Sequence, residues 1–291
     1  MPFLPIEITL FSAVIHASWN LLARKHRETD FLFNSSILVG LVALIPVLAY
    51  DYFVQPFPAK VWFFIPFSGT FLAFYYLGLT RGYRSGDFTV VYPVARALPV
   101  LIIALSDVVL GSSPTPFGWL GIFLVTLGVM VSPLESLRGF SLNRYRNRTM
   151  VWVLLAVIGI TGYTIIDGLA ADFVQPGPVS ALRYFVLQTS SSVIVYWFLL
   201  TLMHTPVDLL EIRTSWRRPA LLAFLIASAY TLVLWAYQLS SETSYVVAVR
   251  QFSIVVGVVA ASYLFKETAP RLRIAAAVTI MIGICLIVLT G

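Results

Sequence analysis

Charge is scarce in this sequence. Asp, Glu, Lys and Arg make up 11% of the 291 residues, against 59% hydrophobic, and the mean hydropathy is +0.89. A soluble domain carries about 25% charged and about 45–50% apolar residues. The shortfall excludes an ordinary cytoplasmic enzyme, a nucleic-acid binder and a disordered chain. Cysteine is nearly missing too, and Cys285 alone excludes a disulfide framework and a Cys-built metal site. Only three histidines occur (His16, His26, His204), with no paired acidic motif, so no metal or cofactor is expected. The chain has no Gly-Lys-Ser/Thr phosphate loop, which excludes nucleotide-driven transport within it. It also lacks the alternating pattern of a β-barrel.

Long apolar runs are what it has instead. A membrane helix needs about 20 apolar residues. Ten runs qualify, at 6–23, 31–50, 61–80, 87–110, 115–133, 150–171, 178–203, 218–239, 243–265 and 270–290. They predict an all-α polytopic membrane protein with loops too short for a soluble domain. Met1 to Glu7 has no basic segment, and His16, Trp19 and Asn20 stand where a cleavage site would be, so the first run reads as a mature helix.

The formal charge of +6 is not spread evenly. Fifteen of the nineteen Lys and Arg residues fall in the loops joining spans 1–2, 3–4, 5–6, 7–8 and 9–10, while the opposite loops hold Lys60 alone. Basic residues mark the cytoplasmic side. This places loop 5–6 in the cytoplasm and both termini outside, as in a bacterial inner membrane. The bilayer is the expected partner, the chain is expected to be monomeric, and no nucleic acid is expected.

The longest polar stretch lies mid-chain and divides it into 1–134, a basic linker 135–149, and 150–291. At an offset of 154 the halves answer each other: Tyr76 meets Tyr230, Tyr83 meets Tyr237, Thr89 meets Thr243 and Arg96 meets Arg250. Trp19 meets Tyr163 at an offset near 144. Five helices per half is an odd number, so the second copy enters the membrane inverted. Inverted repeats provide two exchangeable states around a site at their interface, which is what alternating access needs.

The chain resembles the drug/metabolite transporter superfamily, in particular its ten-helix exporters with two EamA-type repeats. The resemblance rests on His16-Ala17-Ser18-Trp19-Asn20 with Lys25, and on Leu264-Phe265-Lys266-Glu267-Thr268 before the Gly283-containing last span. The first repeat departs from the pattern, with Gly111-Ser112-Ser113 where a pair like Lys266-Glu267 is usual. The resemblance implies a secondary transporter, commonly an exporter of amino acids or other small metabolites.

Polar groups inside apolar spans are the functional pointers, because a mid-helix arginine costs about 2.5–3.5 kcal/mol on insertion scales. Arg96 and Arg250 lie deep in spans four and nine. Each is read either as a clamp for an anionic group or as a structural ion pair. Ser12, His16, Trp19 and Asn20 share one face of span one, and His16 is a candidate proton carrier. Tyr75, Tyr76, Tyr163 and Trp235 are deep aromatics, while Tyr92 and Gln251 stand near the two arginines. Pro93 and Pro99 suggest that span four is broken where it lines a cavity. Asp167 is a second coupling candidate, though its place in span six suggests a wetted helix end. Arg183 is expected to snorkel, and Asp107 to be interfacial. These groups suit a zwitterionic amino acid, neutral or aromatic. The alternatives are an exchanger of organic anions or phosphorylated metabolites, and a scaffold that transports nothing. A membrane enzyme is disfavoured because the sequence groups no catalytic set.

Overall fold

The computed structural model describes residues 3–23, 29–85, 88–132, 134, 148–205, 216–264 and 271–290. Within them, the side chains of residues 20–23, 29–31, 83–85, 88–94, 148 and 261–264 are not described. The described residues form helices joined by short connections, with no strand among them. In chain order the helices are α1 (Phe3–Ala23), α2 (Thr29–Phe53), α3 (Ala59–Ser85), α4 (Phe88–Val109), α5 (Pro116–Val131), α6 (Arg148–Ala171), α7 (Pro178–Leu202), α8 (Arg217–Tyr237), α9 (Thr243–Arg250), α10 (Phe252–Leu264) and α11 (Arg271–Thr290). Each apolar run of the sequence corresponds to one helix, except that the ninth is split into α9 and α10. Seven spans, with α9 and α10 counted as one, are long and apolar enough to cross a membrane, while Pro116–Val131 and the described part of α1 are apolar but shorter.

Polarity is distributed inside out. Large apolar side chains face outward, among them Leu41, Val42 and Ile45 on α2 and Ile194, Trp197 and Phe198 on α7. Ser12, His16, Arg96, Asp167, Arg183, Gln188 and Arg250 are buried instead. In water such an arrangement exposes apolar area at a cost. In hydrocarbon, polar groups have to face protein or a wet cavity. The protein is therefore a polytopic membrane protein.

The helices interleave across the two halves. α3 packs on α6, and α8 packs on α1; α4 lies against α6, while α9 and α10 lie against α1. α2 meets α7, and α5 meets α11. Exchanging the halves leaves this set of neighbours unchanged. Small residues bring the backbones close, as is usual where lipid offers no hydrophobic contrast. At the α5–α11 crossing a Cβ on Gly121 would stand 2.7 Å from the Gly283 carbonyl oxygen, and one on Gly283 would stand 2.6 Å from that of Gly121.

Two backbone features differ from the sequence reading. α4 continues unbroken through Pro93 and Pro99. Each proline forfeits one N–H, and the packing against α5, α6 and α9 holds the helix together. The break falls in span nine, at Gln251. There the Gln251 N–H turns to the Ala248 carbonyl at 3.0 Å, and the Ile254 N–H bonds the Gln251 carbonyl at 2.9 Å. These i→i+3 bonds tighten the turn. The Val247 carbonyl, which would otherwise lose its helical partner, accepts from the Gln251 side-chain amide at 3.3 Å. At the other difference between the repeats, Gly111 ends α4 with φ of +93°. The Ser112 N–H closes that end on the Asp107 carbonyl at 2.8 Å, a left-handed stop that glycine adopts without strain.

Candidate functional site

A cavity of about 570 Å³, counting its open mouth, lies between the halves. α1 supplies Ser12, His16 and Trp19; α3 supplies Tyr75 and Tyr76; α6 supplies Tyr163; α8 supplies Tyr230; and α9 supplies Arg250. Leucine, isoleucine, valine, alanine and Phe185 complete the wall. Aromatic edges fix the pocket's shape. Tyr163 makes edge contacts with Tyr75 at 5.8 Å and with Tyr230 at 5.7 Å between ring centres. Tyr76 and Tyr230, matched in sequence across the repeats, therefore line the same space. So do Trp19 and Tyr163.

The two matched arginines have different surroundings. Arg96 reaches from α4 to both neighbours: its Nη1 is 3.2 Å from His16 Nε2, and its Nη2 donates to Ser253 Oγ at 3.1 Å. It is not among the residues lining the cavity. Arg250 does line it, 7% exposed, with its guanidinium 5.6 Å from the centre of the Tyr230 ring. Among the described residues no carboxylate pairs with it. Its electrostatic neighbours are the phenols of Tyr163, Tyr237, Tyr230 and Tyr75. A buried cation among neutral hydroxyls and π faces is poised for an anion.

His16 stands between two donors. Trp19 Nε1 donates to Nδ1 at 3.1 Å, and Arg96 approaches Nε2. A neutral imidazole has one acceptor nitrogen, so it serves one of them at a time. A protonated ring would serve neither.

Asp167 is 1% exposed, not at a wetted helix end. α6 runs on to Ala171, and α3, α7 and α8 close around the carboxylate. Ser68 Oγ and the Tyr184 hydroxyl donate to Oδ1, Gln188 Nε2 approaches both oxygens at 2.9 and 3.1 Å, and the Tyr230 hydroxyl donates to Oδ2 at 2.6 Å. Arg183 does not snorkel either. It is 3% exposed and ion-paired with Asp51, and its guanidinium lies 4.0 Å from the Phe57 ring centre. Asp107 is buried, and its Oδ2 accepts the Ser244 N–H at 2.8 Å, which anchors the start of α9. Trp235 packs against the main core and Gln251 serves the span-nine break, so neither lines the cavity. Asn20 and Tyr92 lie outside the described side chains.

The cavity extends toward the helix ends that carry Trp19, Leu32 and Leu79. The opposite ends are tied together. Arg183 joins Asp51 and the Gln55 carbonyl, Gln55 bonds Gln175, and Gln238 accepts the Gly177 N–H at 2.9 Å. Sequence reasoning missed Tyr230 as a site residue, although its repeat match with Tyr76 marked it. It also missed Ser68, Tyr184 and Gln188, whose isolated positions give no signal.

Fold and cavity together define a membrane protein with an aromatic-lined cavity between two interleaved halves. Residues 5–132, the first five helices, match the model of the EamA-like transporter family. A solved crystal structure, 15% identical, superposes with a TM-score of 0.68 over 97% of this chain and 95% of its own, which shows a shared fold. No curated protein matches.

Proposed function

We propose that this protein is a secondary transporter that exports small carboxylate-bearing metabolites, foremost neutral or aromatic amino acids, by alternating access. The observation that carries this reading is Arg250, a buried cation in an aromatic cavity with no carboxylate partner among the described residues. The guanidinium receives the substrate carboxylate, while Trp19, Tyr75, Tyr163 and Tyr230 offer apolar area and ring edges to its side chain. The chain does no covalent chemistry in this reading. It needs no cofactor and works as a monomer in a bacterial inner membrane, with loop 5–6 inside and both termini outside. In that orientation the cavity opens toward the cytoplasm, and the Asp51–Arg183 side is the closed outer gate.

Arg96 bears on the rival reading, a phosphorylated metabolite. A phosphate dianion is best held by paired arginines. Arg96 is engaged with His16 and Ser253, so a single arginine faces the cavity. Counterflow in proteoliposomes tests the choice. Vesicles loaded with unlabelled phenylalanine should take up labelled phenylalanine or leucine and ignore sugar phosphates. Exchange of sugar phosphates alone would reject the amino-acid reading.

A further inference from the structure

The two buried aspartates are held in different ways. Asp51 accepts from a guanidinium and from the Phe57 N–H at 3.0 Å, a cation and a fixed donor that together favour the ionised carboxylate. Asp167 has only neutral partners among the described residues, from α3, α7 and α8. Three of these are hydroxyls, which donate to a carboxylate and turn to accept from a carboxylic acid. A site with such partners serves both protonation states without losing its hydrogen bonds. One of them, Tyr230, also forms the cavity wall on which Arg250 rests.

We propose that Asp167 is a proton-binding site coupled through Tyr230 to the substrate, so that protonation of Asp167 and docking of a carboxylate on Arg250 favour each other. The proposal rests on the reading that Arg250 receives the substrate carboxylate. The proton comes from water by way of the cavity. One O–H bond forms on the Asp167 carboxylate, the hydroxyl that had donated to that oxygen turns to accept, and nothing is oxidised or reduced.

The sign follows from charge. The groups facing Asp167 are Ser68 from α3, Tyr184 and Gln188 from α7, and Tyr230 and Tyr237 from α8. From α9, Thr243 packs at Gly168 beside it, and Arg250 lies across the Tyr230 ring. Tyr163 stands on its own helix, against Tyr230. Asp107 and Arg250 both act on Tyr237, as Asp167 does. A substrate carboxylate on Arg250 adds a second negative charge on the far side of Tyr230. For charges about 10 Å apart in an effective dielectric near 20, the repulsion is worth about a tenfold change in affinity. Protonating Asp167 removes it. By reciprocity, binding the substrate draws a proton in. Proton and solute then move in the same direction, so net export runs only where the outward solute gradient exceeds any opposing inward proton gradient.

The test measures protons taken up per L-phenylalanine bound, using purified full-length protein in weakly buffered detergent solution with a pH indicator. The wild type should take up protons on binding. Asp167→Asn, which keeps the shape and can both donate and accept, should bind without uptake. Tyr230→Phe, which keeps the ring beside Arg250 but breaks the link, should lower the ratio. In vesicles, an inward proton gradient should drive phenylalanine accumulation by the wild type and not by Asp167→Asn. Binding by the wild type with no proton uptake, or undiminished uptake by Asp167→Asn, overturns the coupling and leaves the transporter reading standing. Should Asp167→Asn fail to fold, the wild-type ratio and the Tyr230→Phe ratio decide alone. If Arg250→Gln binds phenylalanine as well as the wild type, the substrate reading falls and the coupling falls with it.

Discussion

Arg183 on α7 and Asp51 on α2 form an ion pair across the two halves of the chain, with almost no surface left to solvent. The Tyr50 and Phe57 rings flank the guanidinium, and the Gln55 carbonyl accepts a hydrogen bond from its Nη2. Removing one member strands the other. Asp51→Ala or Arg183→Ala should each destabilise the protein by about 3–5 kcal/mol. The double variant should lose less than the sum of the two. Thermal unfolding in detergent measures all three. Single variants that unfold within a degree or so of the wild type would reject the pair as a structural tie.

The matched arginines should give different phenotypes. Arg250→Gln should weaken binding of phenylalanine by about 10- to 100-fold, the worth of a charged hydrogen bond. It should leave phenylalaninamide, which lacks the carboxylate, little changed. Arg96→Gln should lower thermal stability instead, because it loosens α4 from His16 and Ser253. Equal loss of affinity in the two variants would contradict this division.

Glycine substitutions should also separate. Gly121→Val puts a side chain against the Gly283 carbonyl, where backbone has to move. Overpacking of this kind costs about 1–3 kcal/mol or more, and the yield of folded protein should fall. A Cβ on Gly257 meets nothing within 4 Å. Gly257→Ala should be neutral or stabilising by up to about 1 kcal/mol, since alanine favours the helix. Gel filtration monitored by fluorescence distinguishes the two.

The orientation rests on the basic loops. A reporter that is active only outside the cytoplasm, fused after Gly291, should be active. A cytoplasmic reporter at the same place should be silent. The reverse pattern would turn the molecule over and make the Asp51–Arg183 side the cytoplasmic gate.

The ten spans were legible because hydrocarbon imposes one rule on every residue of a crossing helix, and a run of apolar side chains records it directly. Arg96 and Arg250 were legible for the same reason, as violations. Their separate environments were not, because repeat symmetry equates them and only packing tells them apart. For Asp167 and Arg183 the sequence points the wrong way, because nearness to a helix end is not nearness to water. The connections 54–58 and 172–177 pack over those ends, with Phe57 buried and Gln55 bonded to Gln175. The aspartate cage draws Ser68, Tyr184 and Gln188 from two helices distant in sequence, and no local pattern links them.

The break at Gln251 gives α9 an independence that the rest of span nine lacks. Its eight residues make about two turns, roughly 12 Å of rod. One end is pinned to α4, where Asp107 holds the Ser244 N–H. The other end carries Arg250 and closes on the tightened turn at Gln251. The rod is thus a strut whose foot belongs to the first half of the chain and whose tip is the cavity's cation. The path from the Asp107 end of α4 to Arg250 therefore runs along α9 and does not include α10.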